Sequence, residues 1–492
     1  MKNILRLFSI QFIILSFITL CYSQENNYRV LHHFTGAAGD GSTPSGTLVQ
    51  SGTTLYGMTQ QGGDNSLGTI FRIGIDGTNF GLLYSFDDPN GSLPCGSLVQ
   101  SGSSFYGMTL FGGIYSNGTI FGIDTSGTNF RTLYAFIGGS DDGFYPSASP
   151  ILSGSILFGN TQLGGVDTNG VIYKINADGT GYEILHVFGH TADEGRRPIA
   201  SFVKSGSVLY GTTFTGGIDN KGTIFKINTD GTNFQLMHSF RDSIDGSLLG
   251  GSLILSGTTL YGTAANGGND ENGTIFRIST DGTDFRVIYR FSGGINDGAE
   301  PSRTSLIKSG SYLYGTTDIG GLQNQGIIFQ IDTTGSGFRI LHRFGGMQSD
   351  GSNPTGSLFL SGNTLYGMTF RGGNQGKGVI FALDISQPED VHEKNSSNVQ
   401  NKFRLEQNYP NPFNPTTNIQ YSLNQSSNVK LTVYNLLSQK IKTLINSFQN
   451  QGEHSVVWNG TDDNNHIVSS GIYFYRLETN EINLQKKMIL LQ

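Results

Sequence analysis

The sequence predicts an all-β chain: a seven-bladed β-propeller with four-stranded blades, followed by a small immunoglobulin-like β-sandwich. Three observations predict it. An aromatic-glycine unit recurs seven times at intervals of about 50 to 53 residues, as LYGMT around Tyr56, FYGMT around Tyr106, LFGNT around Phe158, LYGTT around Tyr210, LYGTA around Tyr261, LYGTT around Tyr314 and LYGMT around Tyr366; a fixed period of this length marks a repeat architecture. Each copy lies among short segments rich in Ile, Val, Leu, Thr, Tyr and Phe and bounded by Gly, Asp, Asn or Ser, with no helical period. Glycine makes up 71 of 492 residues while Phe (33) and Tyr (21) stay abundant, a balance that fits many short strands and tight turns rather than a disordered polymer.

Connector length orders the strands within a repeat. SGT and DGTN are tight turns, which join neighbouring antiparallel strands of one sheet. The double-Gly loop and the connector leading to the next repeat (DDPNGSLPC in the first case) are longer, and the latter carries the crossing between blades. A blade therefore runs GSLVQ (inner), LYGTT, GTIFRI, LLYSF (outer). In TIFRI, Phe71 and Ile73 point one way and Ile70 the other, so both faces are apolar, as stacked sheets require. One strand is left over at each end: YRVLHHF (28–34) is an outer strand without a blade, and the last repeat ends at GVIFALD without an outer strand. Joining them closes the ring and removes the unpaired edge. The repeats, with their LYAFIGGSDDGFYP, LYGTTFTGG and GTIFKI stretches, resemble the Gloeo/Verruco (GloVer) tandem repeat of exported bacterial proteins over residues 28–385. That resemblance implies export and a propeller-like fold.

The N-terminus reads as a signal peptide, residues 1–23: Lys2 and Arg6 precede the apolar run LFSIQFIILSFITLC, which is short for a membrane span. Cys21 and Ser23 stand at the −3 and −1 positions, giving cleavage after Ser23; a lipoprotein reading through Cys21 is weaker because Leu20 precedes it. No later stretch reaches the length of a helical span. Net charge is −7, with Lys2 and Arg6 counted, and charged residues are only 14% of the chain; no basic patch points to nucleic acid. Cleavage leaves Cys95 alone, so the mature chain (propeller 24–385, linker 386–402, C-terminal domain 403–492) has no internal disulfide framework.

Residues 403–492 alternate as a compact sandwich, with strands NIQYSL, VKLTVYNL, HSVVWNG, GIYFYRLET and KKMILLQ. The stretches QNYPNPFNPTTNIQYSL, VYNLLSQKIKTL, GEHSVVWNG, SSGIYFYRL and KKMILL resemble the type A sorting domain of the type IX secretion system. The residues that carry the resemblance are Pro410, Asn411, Pro412, Phe413, Asn414, Pro415, Gly471, Tyr473, Tyr475, Lys487 and Met488. It implies recognition by that machinery at the outer membrane, followed by release or surface attachment. Ser438 and Asn464–Asn465 depart mildly from the family pattern. An immunoglobulin-like module that merely binds a partner is the alternative.

No nucleophile elbow, P-loop, zinc or calcium motif is present, and no cofactor is expected. His32, His186, His238 and His342 share a repeat position with Tyr84, Tyr134 and Tyr289; lying on different blades, they cannot converge on one metal and read as edge-packing aromatics. Asp40, Asn90, Asp142, Glu194, Asp245, Asp297 and Asp350 each precede Gly in a crossing loop. Two readings are open: a structural turn, or carboxylates near the channel mouth that bind a cation or sugar. Variation concentrates on the face carrying the double-Gly and crossing loops, where Phe111, Tyr115, Phe214, Phe370 and Arg371 offer an aromatic and guanidinium surface for glycan or peptide. The expected function is an exported, non-catalytic binding module for polysaccharide or protein. The alternatives are a secreted polysaccharide hydrolase or lyase using mouth carboxylates, and a passive structural surface protein.

Overall fold

The computed structural model describes residues 27–191, 193–268, 270–302, 304–345, 349–386, 404–405, 408, 410–423, 425–436, 439–479 and 483–491. The expected signal peptide with Ser23, almost all of the linker, and Ser438 lie outside the described residues. The chain divides into two compact units, Met1–Gln387 and Pro388–Gln492.

The first unit is all-β and propeller-like. Gly41–Ser51, Thr54–Gly62, Thr69–Gly74 and Gly81–Ser85 form one four-stranded sheet in that order. The arrangement recurs in every repeat, giving seven such sheets among the described residues. In the last sheet Gly351–Ser361, Thr364–Gly372 and Val379–Asp384 take their fourth strand from Tyr28–His33, with Tyr28 opposite Leu383 and His33 opposite Val379. The leftover strands of the sequence therefore pair as expected.

The repeat motif has a steric origin. A Cβ at Gly57 of LYGMT would strike the tip of the Phe71 ring of GTIFRI, and the same glycine faces Phe121, Tyr173, Phe225, Phe276, Phe329 and Phe381 in the other repeats. These rings do not form one central core. They belong to seven separate apolar clusters, each shared by two consecutive sheets; one joins Phe34, Ile380 and Met368 of the last sheet to Leu48, Leu55, Phe71 and Ile73 of the first. Burial on both faces explains why the third strand is apolar throughout.

Two further sets of contacts pass from sheet to sheet. Near the inner strands, Thr47 N–H donates to Ser97 Oγ (2.7 Å), Ser97 to Ser149, Ser149 to Ser201, Ser201 to Ser252, Ser252 to Ser305, Ser305 to Ser357, and Ser357 N–H returns to Thr47 Oγ1 (3.2 Å). Closure is tight there: a Cβ at Gly356 (φ +71°) would collide with the Gly46 carbonyl oxygen. At the outer strands, the His or Tyr ring of each sheet stacks on an aromatic ring of the next, from His32 on Phe80 (3.7 Å) round to His342 on Tyr28 (3.7 Å).

In the second unit, Arg404–Leu405, Thr417–Leu423 and Gly452–Trp458 form one sheet. Lys440–Gln449, Ser427–Asn435, Gly471–Glu478 and Asn483–Leu490 form another. Both contribute to a single core around Trp458, Tyr421, Val433, Tyr475 and Leu490. Lys440–Gln449 is a strand that the sequence reading passed over, because its Lys, Thr, Asn and Ser residues dilute the alternation. Phe413 of the PNPFNP stretch is buried against Trp458 (5.5 Å), and its N–H and C=O bond Ile489 O and Leu491 N. Asn411 Oδ1 accepts the Ile489 N–H, while Tyr473, Tyr475 and Met488 lie in the core and Lys487 is exposed. The opening PNPFNP stretch and the closing KKMILL strand thus support each other directly.

Candidate functional site

The crossing loops and double-Gly loops are stitched together at one end of the sheets. Gly41 pairs with Gly62, Gly143 with Gly164, Gly195 with Gly216, Gly298 with Gly320 and Gly351 with Gly372. Beside them lies a central cavity of about 720 Å³ to which all seven repeats contribute, within the ~300–1,000 Å³ range of small-molecule sites. The hydroxyl ring of Thr47, Ser97, Ser149, Ser201, Ser252, Ser305 and Ser357 lines it, with Gln60, Leu110, Gln162, Phe214 and Asn266 from the double-Gly segments. Glu300 is the one acid among the described lining residues, and none of them is Lys or Arg. Cys95 also lines it; burial pushes its thiol up to about 12.

The five residues expected to form one ligand surface are divided. Phe214 faces the central cavity. Phe370 and Arg371 line a separate recess of about 270 Å³ with Asp318, Asn353, Pro354 and Thr355. Phe111 packs edge-on against Tyr145 (4.8 Å), and Tyr115 stands exposed on a loop tip. Other apolar tips accompany it on this face: Ile114, Val166 and Ile218, each directly after a double Gly, are 74%, 69% and 73% exposed.

The expected mouth carboxylates need correction: Asp40, Asp142, Glu194, Asp245, Asp297 and Asp350 do not line the cavity. Each is buried and turned toward the ring of its own outer strand. Asp40 bonds His32 Nε2 (3.1 Å), Glu194 bonds His186 (2.6 Å), Asp245 bonds His238 (3.3 Å) and Asp350 bonds His342 (3.2 Å). Asp142 and Asp297 accept from Tyr134 and Tyr289, both at 3.1 Å. In the second repeat Asp87, not Asn90, supplies the carboxylate, accepting from Asn90 Nδ2 (2.7 Å) and lying 3.5 Å from Tyr84 Oη. The physical reason is local: the carboxyl also accepts loop donors, as Asp40 does from the Thr35 and Gly41 N–H groups, so the turn that orders the loop also aims the acid at the stacked ring.

Burial pulls the Asp40 carboxyl upward, but bonds from His32, Thr35 and Gly41 outweigh it and hold it below the usual carboxylate range; His186, Gly189 and His190 do the same for Glu194. A lowered folded pKa makes stability present above the unfolded value and lost as pH falls through the folded one. Burial also depresses His238 against the pull of Asp245, which removes stability below its unfolded value near ~6.5. Thermal unfolding followed from pH 7 to pH 3 should show wild-type stability falling steeply below about pH 4. An Asp40→Asn, Glu194→Gln variant should start lower and fall less; equal slopes would refute this coupling.

A second set of residues escaped the sequence reading. Thr43, Leu93, Tyr145, Arg197, Leu248, Glu300 and Asn353 occupy one position in the seven repeats, and all have φ between 51° and 60°. Each N–H is fixed by a carbonyl of the preceding repeat, as Tyr145 N to Asn117 O (3.0 Å) and Glu300 N to Asn272 O (2.9 Å). Left-handed backbone costs a non-glycine residue roughly 1–2 kcal/mol. Leu248 and Glu300 line the central cavity and Asn353 the smaller recess. Their signal in the sequence was positional: the residue before the crossing-loop Pro, present in six repeats, changes character from repeat to repeat.

Among curated proteins none matches this sequence. Solved structures similar to the chain include an oligogalacturonate lyase from Vibrio parahaemolyticus (10% identity, 74% of this chain and 94% of that one, TM-score 0.43). An oligogalacturonate lyase in complex with manganese is similar at 11% identity, 75% and 99% coverage and TM-score 0.47. A chain of a nidogen/laminin complex is similar at 16% identity, 58% and 90% coverage and TM-score 0.37. At these identities the likeness concerns the fold alone. The Gloeobacter/Verrucomicrobia repeat matches residues 18–166, 102–269, 141–311, 249–405 and 294–450, and with that span the chain belongs to the Gloeobacter/Verrucomicrobia repeat family.

Proposed function

We propose that the seven sheets are the blades of a closed propeller that binds a polysaccharide or protein partner through its long-loop face, without catalysis. The observation that carries this reading is the central cavity, where a constant hydroxyl floor meets side chains that vary from repeat to repeat, from Gln60 and Gln162 to Leu110, Phe214 and Asn266. A repeated frame with varied tips is how a rigid scaffold presents a binding surface. The mouth carboxylates that a hydrolase or lyase needs are instead committed to His and Tyr rings.

The second unit, in this reading, is an immunoglobulin-like sorting domain recognised by the type IX secretion machinery, and the protein is secreted or attached to the outer-membrane surface after signal-peptide cleavage at Ser23. The mutual support of the PNPFNP stretch and the final strand gives a physical reason for both motifs to occur together.

Immobilised polysaccharides and extracellular matrix proteins should retain the purified propeller. Phe370→Ala with Arg371→Ala should weaken retention about tenfold, the effect of losing roughly 1.4 kcal/mol of contact. Failure of the whole panel to retain the wild-type protein would sink the reading.

A further inference from the structure

We propose that the central cavity is a socket for the end of a neutral oligosaccharide, and that the two strained residues that line it, Leu248 and Glu300, select the sugar. The inference rests on the binding function above and names its ligand.

The two ends of the sheets differ in how they treat left-handed backbone. In the DGTN turns at the far end, the left-handed position holds Asn79, Asn129, Gly181, Asn233, Asp284 and Gly337. These residue types tolerate that conformation best. At the long-loop end the same φ is carried by Thr43, Leu93, Tyr145, Arg197, Leu248, Glu300 and Asn353, of which Leu248 and Glu300 line the cavity. Backbone preference is overridden at these two where the side chain meets the cavity. Glu300 is exposed, so burial does not explain it.

The lining favours sugar over peptide. An extended peptide binds by adding to a free strand edge, but each inner strand already donates an N–H to the hydroxyl of its neighbour. Those hydroxyls accept a backbone proton and keep their own to donate, polarised in the same direction. Gln60, Gln162 and Asn266 add amides that donate and accept, and Phe214 adds an apolar face, which together suit a ring bearing dense hydroxyls on one side and C–H bonds on the other. An acidic sugar would meet the Glu300 carboxylate with no Lys or Arg among the described lining residues.

The test uses cello-, malto-, manno- and chito-oligosaccharides as probes, titrated into the full mature chain and into two variants. Leu248→Asn, Glu300→Asn relieves the strained positions: its melting temperature should stay level or rise by about 2 °C or more, while affinity for the bound oligosaccharide falls at least tenfold. Phe214→Ala should lose a similar factor. A melting temperature several degrees lower in the double variant would show these two residues to be structural and overturn the proposal. So would unchanged affinity in either variant, or no binding of any neutral oligosaccharide. If the wild-type chain is still retained by a protein or an acidic polymer in that last case, the long-loop face binds but the socket assignment is wrong.

Discussion

Deleting residues 27–34 should destroy the folded repeat unit rather than trim it. The segment supplies the outer strand of the last sheet, pairing from Tyr28–Leu383 to His33–Val379. It also carries Phe34, fully buried in the cluster between the last and first sheets, and Tyr28, whose ring stacks on His342 at 3.7 Å. Removing one buried Phe costs about 3–5 kcal/mol, and here an unpaired Val379–Asp384 edge is exposed as well. The truncated protein should aggregate, or melt at least ~10 °C below wild type. Circular dichroism melts with size-exclusion chromatography would decide; a monomer with wild-type melting temperature would show that the ring does not depend on this strand. Tyr28→Ala alone should lower stability in the same direction by less.

Removing residues 403–492 should abolish delivery without unfolding the propeller. The two units have separate cores, one around Trp458 and Tyr475 and the other in the clusters between repeat sheets. In a bacterium with a type IX system the truncated chain should accumulate in the periplasm, correctly folded by protease resistance. Fractionation with blotting gives the readout, and wild-type secretion of the truncation would refute the sorting assignment. A second variant, Phe413→Ala, tests the same point more locally, since it unseats the PNPFNP stretch from the final strand.

The order of strands in each sheet was legible in the sequence because turn length constrains it: SGT and DGTN leave no choice of partner. Completion of the last sheet by YRVLHHF was legible because a four-strand unit was incomplete at both ends. What the sequence hid was the direction in which side chains turn on the loops. Asp40 and its equivalents were visible as a repeated Asp-Gly, yet that pattern fits a turn facing the axis as well as one facing the outer strand. Only the position of His32 and Tyr134 beside them distinguishes the two. Thr47, Ser97 and their equivalents were equally visible as a constant hydroxyl after a small residue, but their link is between repeats about 50 residues apart, which a reading of one repeat at a time does not reach. The rim position failed for the opposite reason, since its constancy lies in φ and its side chains share no chemistry.

The bond from Ser357 N–H to Thr47 Oγ1 spans 310 residues, and the Tyr28–His342 stack spans slightly more. Contacts of such separation form late, because the chain must pay the entropy of closing a long loop before they reward it. A chain emerging N-terminus first keeps its opening strand without a partner until Val379–Asp384 has followed. The architecture therefore delays its own completion. The other six sheets need no such wait, since each draws its four strands from a single stretch of the sequence.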